Sequence, residues 1–496
     1  MAPVDGLSVN ELRALVMAQQ QTIVQLSGTI ETLPAEVREL KRLLFGSRSE
    51  RLKREAMPPL ARALRARRSD ERTDAAAAQQ KRAARAARRA QLPMETMVCP
   101  LERCPHCQSE DLQDLRSPEV SDEIELVPAH FVRRRYVRAK AKCPRCARVV
   151  TAPASKRVTD GGLWGPTLHA HAVVAMCADA LPFYRLANRF QRDGLPMERS
   201  TLNRLFHRSA ELLRPIAARI LQQVVASERI NADETPLFVQ APERCRRGFL
   251  WVFLAGRCIA YVFSPTRSGH TPRRLLRGTK GILQVDDYSG YNAVCVPEGR
   301  QRLGCLAHVR RKFFRALDSA PDEAQVALDL ILSLYDVEYD AAQKGILGSA
   351  EHLTLRRSTT EPRLQTLTAW LEQNQSRSPP KSPLGQALRY ALKTVPTLRA
   401  VLDDATLRLD NNVAENALRL IALGRKNFLF VGDDEGGENL ATLQTVVSTC
   451  LANDVNPERY IADVLLRLDE TPRSQIDSLL PMNWQPRTAA SAPLSA

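Results

Sequence analysis

At 496 residues the chain exceeds what one hydrophobic core holds, and three or four domains are expected. Its 44% hydrophobic and 25% charged residues are those of an ordinary soluble protein, and no apolar run approaches the roughly 18 residues of a membrane span. A formal charge of +16 and a pI near 9.6 leave two readings, contact with phosphates or a merely solvated basic surface.

Residues 1–20 alternate apolar and polar side chains and lack a signal peptide's apolar stretch, so the chain is expected in the cytoplasm with its 11 cysteines reduced. Over residues 1–50, Val9, Val16, Ile23, Ile30, Val37 and Leu44 fall seven apart, and Leu12, Gln19, Leu26, Leu33 and Leu40 follow the first five by three. That seam predicts a parallel two-stranded coiled coil, with Gln19 setting register and Pro34 as a kink or restart. An amphipathic helix packed on its own protein is the competing reading. Residues 51–93 change character. Thirteen Lys or Arg face four acids over 51–92, in Ala and Gln with few large apolar residues. Such a run cannot bury a core, and it reads as a basic linker that tracks phosphates or is only solvated.

A zinc-binding domain is expected over 94–155. Cys104-Pro-His-Cys107 and Cys143-Pro-Arg-Cys146 are paired knuckles, the way two tight turns grip a tetrahedral zinc. Strand-like runs at 123–127 and 131–142 lie between them, as a zinc-ribbon hairpin requires. Residues 158–222 then read as helices. A helix over 184–191, a break at Asp193-Gly194 and a helix from 197 to 213 form a helix-turn-helix pattern. Arg199, Asn203, Arg204 and Arg208 are its candidate DNA-reading residues; a plain helical hairpin is the alternative.

From 228 the period switches to that of strands. Runs at 229–239, 248–255 and 258–263 predict a three-strand meander, then a helix at 271–276, a strand at 281–285, a strand at 303–306 and a basic helix at 308–317. This is the element order of a ribonuclease H-like core, with Asp233 on the first strand and Asp286 at the end of the fourth. Two carboxylates held side by side are costly unless a cation neutralises them. Glu415 opens a later helix, and the interval from Asp286 is more than twice that from Asp233 to Asp286, so a helical insertion is expected at about 318–404. Asn412-x-x-Glu415 also reads as a capping box, which would make Glu415 structural. A C-terminal helical segment over 433–470 and a disordered tail over 471–496 complete the chain. The whole predicts a multidomain α+β protein: an α/β catalytic core at 228–432 preceded by coil, zinc module and helix-turn-helix.

The segments LLFGSRSERL, ADETP, LQVDDYSGYN, GCLAHVRRKFF, KSPLGQALRYAL, LDNNVAENALR and ALGRKNFLFVG resemble those of transposases of insertion-sequence family 66, over roughly residues 7–468. The resemblance implies that Asp233, Asp286 and Glu415 are an Asp-Asp-Glu (DDE) triad holding two Mg²⁺ or Mn²⁺ ions, with structural Zn²⁺ on the four cysteines. It implies cleavage of the element's terminal inverted repeats by water, followed by attack of the freed 3′-hydroxyl on target DNA. Asp287 departs from the small residue usual there, and Glu234 is a similar neighbour of the first position. His308, Arg310, Arg311 and Lys312, with Arg425 and Lys426, are expected to hold the DNA backbone, unless the first group is only a solvated helix face. The implied partners are double-stranded DNA, a second copy or a larger synaptic assembly, and small accessory proteins, with no membrane, on the bacterial nucleoid. The alternative is a catalytically silent DNA-binding repressor derived from such an enzyme.

Overall fold

The structure, a computed structural model, describes residues 130–487 except 143, 147 and 148, with a few helical positions between 79 and 87. The chain divides into Met1–Leu126 and Val127–Ala496, and the strands and helices named below belong to the second unit. The expected coiled coil, nearly all of the basic linker, and Cys104, Cys107 and Cys143 lie outside the described residues.

Strand β1 (Lys140–Lys142) pairs antiparallel with β2 (Val149–Thr151). Residues 144–146 form the turn between them, which puts exposed Cys146 at the tip of a short hairpin. The strand expected over 131–142 is paired only at its end. Upstream the exposed chain is anchored by rings, Phe131 lying edge-on to Phe190 at 4.9 Å and Arg157 over the Tyr136 ring at 5.3 Å.

Three helices follow, α1 (Pro166–Cys177), α2 (Phe183–Arg192) and α3 (Arg199–Ala226). Gly194, at φ +86°, supplies the left-handed residue of the turn between α2 and α3. The helix expected to end at 213 runs through Pro215 to Ala226, because Leu213, Ile216, Ile220 and Val224 continue a fully buried stripe. Its first turns expose Arg199, Asn203, Arg204 and Arg208.

The apolar runs after 228 form one mixed sheet. Strands β3 (Arg229–Val239), β4 (Arg246–Ala255) and β5 (Cys258–Ser264) are an antiparallel meander. After α4 (His270–Leu276), β6 (Gly281–Gln284) joins parallel to β3, and β7 (Arg300–Leu303) joins parallel to β6. The order β5-β4-β3-β6-β7 makes β3 the central strand. Consecutive residues Leu250, Trp251, Val252 and Phe253 are all fully buried, so both faces of the sheet are covered. Gly281 has φ +105°, and a Cβ there would stand 2.1 Å from the Glu228 carbonyl; only glycine lets β6 begin this close to the chain entering β3.

Beyond α5 (Leu306–Ala316) come α6 (Pro321–Gln343), α7 (Ala350–Leu355), a π turn at Arg356–Thr360, α8 (Glu361–Gln375), α9 (Pro383–Thr394) and a 3-10 stretch at Val395–Leu402. These helices bury their own cluster, including Leu306, Ile331, Leu367, Leu388 and Leu409, apart from the larger core of the sheet and flanking helices. Arg356 is its polar knot at 1% exposure. It donates to both carboxylate oxygens of Glu338 at 2.8 and 2.7 Å and to the carbonyls of Val401, Asp404 and Leu407.

The chain returns to the sheet as α10 (Asn412–Phe428), followed by α11 (Asp434–Ala452) and α12 (Pro457–Arg467). The tail expected to be disordered beyond 470 is packed. A 3-10 stretch at Arg473–Leu479 leads to buried Leu479 and Leu480, and the Trp484 indole donates to Asp463 at 2.8 Å. Its apolar anchors follow neither a helical nor a strand period, which hid them among the prolines. Residues 488–496 lie outside the described residues.

Candidate active site

The parallel register of β3 and β6 sets Asn231 opposite Gln284. Two residues further on come Asp233 and Asp286, so the two-residue period carries both aspartates to one face and one level. The antiparallel register continues the row from Asp233 through Val252 to Tyr261. The Tyr261 hydroxyl donates to the Ala417 carbonyl at 2.8 Å, which identifies this face as the one that α10 covers.

The start of α10 is held by a carboxamide clamp. Asn231 Nδ2 donates to Gln284 Oε1 at 3.0 Å and to Asn411 Oδ1 at 2.8 Å, and Asn411 Nδ2 donates to the Ala232 carbonyl at 2.8 Å. Gln284 Nε2 reaches the Arg408 carbonyl at 2.7 Å. Asn411 is the N-cap residue, yet its side chain makes no capping bond; it is spent on the sheet. Glu415 is therefore the fourth helical residue and not the third, and the capping-box reading does not hold. One turn after Asn411, Glu415 lies on the same helix face, beside β3 and β6. The far end of α10 is tied to β3 as well: Arg425 donates to the Pro236 carbonyl, and the Val431 amide to Phe238 at 2.9 Å.

The convergence appears in the electrostatics. The Asp233 carboxyl is pushed from 3.8 up to about 7, first by burial and then by the charge of Glu234, with Asp286 and Glu415 adding to it. A backbone amide, Glu234 N–H at 2.8 Å, partly opposes the rise. Asp286 accepts from the Tyr288 amide at 2.9 Å. Glu415 faces α5, with Arg311 at 3.4 Å and His308 at 3.6 Å.

The neighbouring acids are occupied elsewhere. Glu234 alternates to the other sheet face, in the row of Trp251. There its 2% exposed side chain accepts from Arg267 Nη2 at 2.6 Å and from the Tyr291 hydroxyl at 2.7 Å. Burial still raises its pKa against those two partners. Asp287 pairs with Lys393 at 2.6 Å and lies 3.9 Å from Arg302.

Of the residues expected on the DNA backbone, Lys426 is exposed, whereas Arg425 is half-buried in its bond to β3. Arg311 is turned toward Glu415, and Lys312 lies over the Tyr390 ring at 4.6 Å. Arg208 pairs with Glu211 at 2.8 Å, and Arg204 reaches Thr201 at 3.2 Å. Sequence reasoning missed Asn231, Gln284 and Asn411. Their signal was present: Asn231 and Gln284 each precede an aspartate by two, polar residues on a strand face where apolar ones are expected.

The carboxylates fit divalent cations, because a buried acid raised by its neighbours' charge is what a cation there would relieve. The sequence matches the family described as "Transposase IS66 family" over residues 161–439. It also matches the "IS66 C-terminal element" over 445–482 and the "zinc-finger binding domain of transposase IS66" over 102–147. It is similar to proteins of Sinorhizobium fredii described as uncharacterized. One, y4jD, is 30% identical over 501 residues, covering 94% of this chain and 97% of its own. Another, y4qI, is 32% identical over 390 residues, covering 74% and 71%, and y4hP is 30% identical over 426 residues, covering 81% and 76%.

Proposed function

Because the chain belongs to the IS66 family of transposases, we propose that it is a DDE enzyme that cleaves the terminal inverted repeats of its element and joins them to target DNA. The observation that supports this is the buried Asp233 carboxyl on central strand β3, raised first by burial and by Glu234 and further by the charges of Asp286 and Glu415. The central position of β3, with β6 parallel beside it, supports a ribonuclease H-like core. Asp233, Asp286 and Glu415 would hold Mg²⁺ or Mn²⁺, which supplies charge to polarise the scissile phosphate and acidify water.

The protein's own residues do the rest. The carboxamide clamp fixes Glu415 against the two aspartates. Water attacks the phosphorus at the repeat end, the P–O3′ bond breaks, and the 3′-hydroxyl departs. That hydroxyl then attacks a target phosphodiester, so one P–O bond forms as another breaks and no bond to protein is made. Arg199, Asn203, Arg204 and Arg208, exposed on the first turns of α3, would contact DNA as a helix-turn-helix. Arg310 and Lys426 would hold the backbone. The zinc-finger match supports zinc on Cys104, Cys107, Cys143 and Cys146. The heptads over 1–50 support pairing of two copies. Among the described residues no helix is long and apolar enough to cross a membrane.

The test is purified full chain with repeat-end DNA and Mg²⁺. Nicked and joined products are expected, and Asp286→Asn should abolish both. Repeat binding without nicking, in protein that is folded, would favour a silent repressor.

A further inference from the structure

Two donors beside the triad, Cys305 and His308, are not used by the reaction above. Cys305 is the N-cap residue of α5, and His308 stands one turn further on, so Cys305-x-x-His308 aims both side chains to one side. Glu415 meets them from α10. The Cys305 Sγ, a His308 ring nitrogen and a Glu415 oxygen all lie within 4.8 Å of one another. His308 Nδ1 and Glu415 Oε1 are 3.6 Å apart, close to the ~3.3 Å edge of a tetrahedron whose ligands sit about 2.0 Å from zinc.

We propose that Cys305, His308 and Glu415 bind a soft divalent cation, zinc above all, at a site separate from the paired CxxC cysteines. Thiolate, imidazole and carboxylate form a mixed set that favours zinc over magnesium, with the fourth position left to water. The Asn411 amide donates to Sγ at 3.2 Å, and the α5 N-terminus adds positive potential; both favour a thiolate once a cation is present. Zinc uptake by the Cys305 thiol releases one proton from sulfur to solvent. Glu415 belongs to both sites. Zinc here draws it from Asp233 and Asp286, and it therefore inhibits magnesium-dependent cleavage, a consequence that rests on the function proposed above.

The test counts zinc in the full chain after saturation and desalting, for wild type, Cys305→Ser and His308→Ala, with melting curves to show that each is folded. The variants should each hold one zinc per chain fewer than wild type, while Cys104→Ser should lose the other. With Co²⁺ as probe, Cys305→Ser and His308→Ala should each show less thiolate-to-metal absorption than wild type. Half-inhibition of cleavage should need at least ~10-fold more zinc in either variant than in wild type, each measured against its own uninhibited rate. Equal zinc content in wild type and both variants overturns the site. Absence of cleavage by every protein overturns the function reading instead, and the zinc count still decides the site.

Discussion

Asp233→Asn should stabilise the protein, by an amount that depends on pH. The native carboxyl titrates near 7 against an ordinary value of 3.8. Between those values the folded chain keeps a proton that the unfolded chain has lost, so stability falls as pH rises, and the loss is complete above about pH 7. Three pH units at 1.36 kcal/mol each set an upper limit of about 4 kcal/mol, less where the neighbouring carboxylates share the titration. Asparagine has the shape of the protonated acid and can still accept from the Glu234 amide, so it escapes that cost. Without added magnesium, the melting midpoints of wild type and Asp233→Asn should coincide near pH 4 and diverge to a maximum above pH 7, the variant higher. Magnesium at pH 8 should raise the wild type and narrow the gap, because a cation bound only by the native state adds stability. Equal midpoints at pH 8 would refute the burial of Asp233 among acidic neighbours, and the same magnesium response in both proteins would refute its role as a cation ligand.

Asp286→Asn should lower cleavage by at least ~100-fold, the scale of losing one charge-stabilising group, whereas Asp287→Asn, which removes an ion pair with Lys393, should stay within a few-fold on the same gel assay. Asn411→Ala removes both clamp bonds to β3; it should raise the magnesium concentration needed for half-maximal cleavage by ~10–100-fold, as the loss of an orienting partner does. Unchanged magnesium dependence would mean that the clamp does not position Glu415. Arg356→Ala leaves the Glu338 carboxylate with His352 at 3.4 Å but without its guanidinium, and three carbonyls without this donor, so it should cost roughly 3–5 kcal/mol in urea unfolding of the helical region.

The sheet was legible because its strands carry their own period: the meander, the short α4 and the parallel return of β6 follow from apolar runs broken at Gly256 and Gly278. Asp233 and Asp286 were legible for the same reason, since neighbouring parallel strands fix level as well as face. The end of α3 was not, because Pro215 reads as a stop in sequence while the buried stripe beyond it holds the helix together. The packed tail was hidden by irregular spacing, and the DNA-facing reading of Arg311 and Arg425 by their sequence context. A charge on an amphipathic helix looks solvated until the helix opposite is known.

Glu415 shows most plainly why the site needed the fold. In sequence its spacing from Asn412 suits a capping box, a local device that needs no partner beyond the helix itself. In the structure the helix starts one residue earlier than a capping box would need, and its cap residue, Asn411, turns its side chain to Asn231 and Ala232. A cap substituted this way gives up a bond worth about 1 kcal/mol to the helix, and what it obtains is a fixed distance between α10 and two strands. The near-miss acids complete the contrast. Glu234 and Asp287 each sit at ion-pair distance from a cation of their own, Arg267 and Lys393. Asp233 and Asp286 accept from backbone amides, which hold the carboxyl groups in place. The flanking acids thus have basic partners while Asp233 and Asp286 are held by amides, so a divalent cation that displaces the Asp233 proton finds its place at the centre of the pair in a chain of net charge +16.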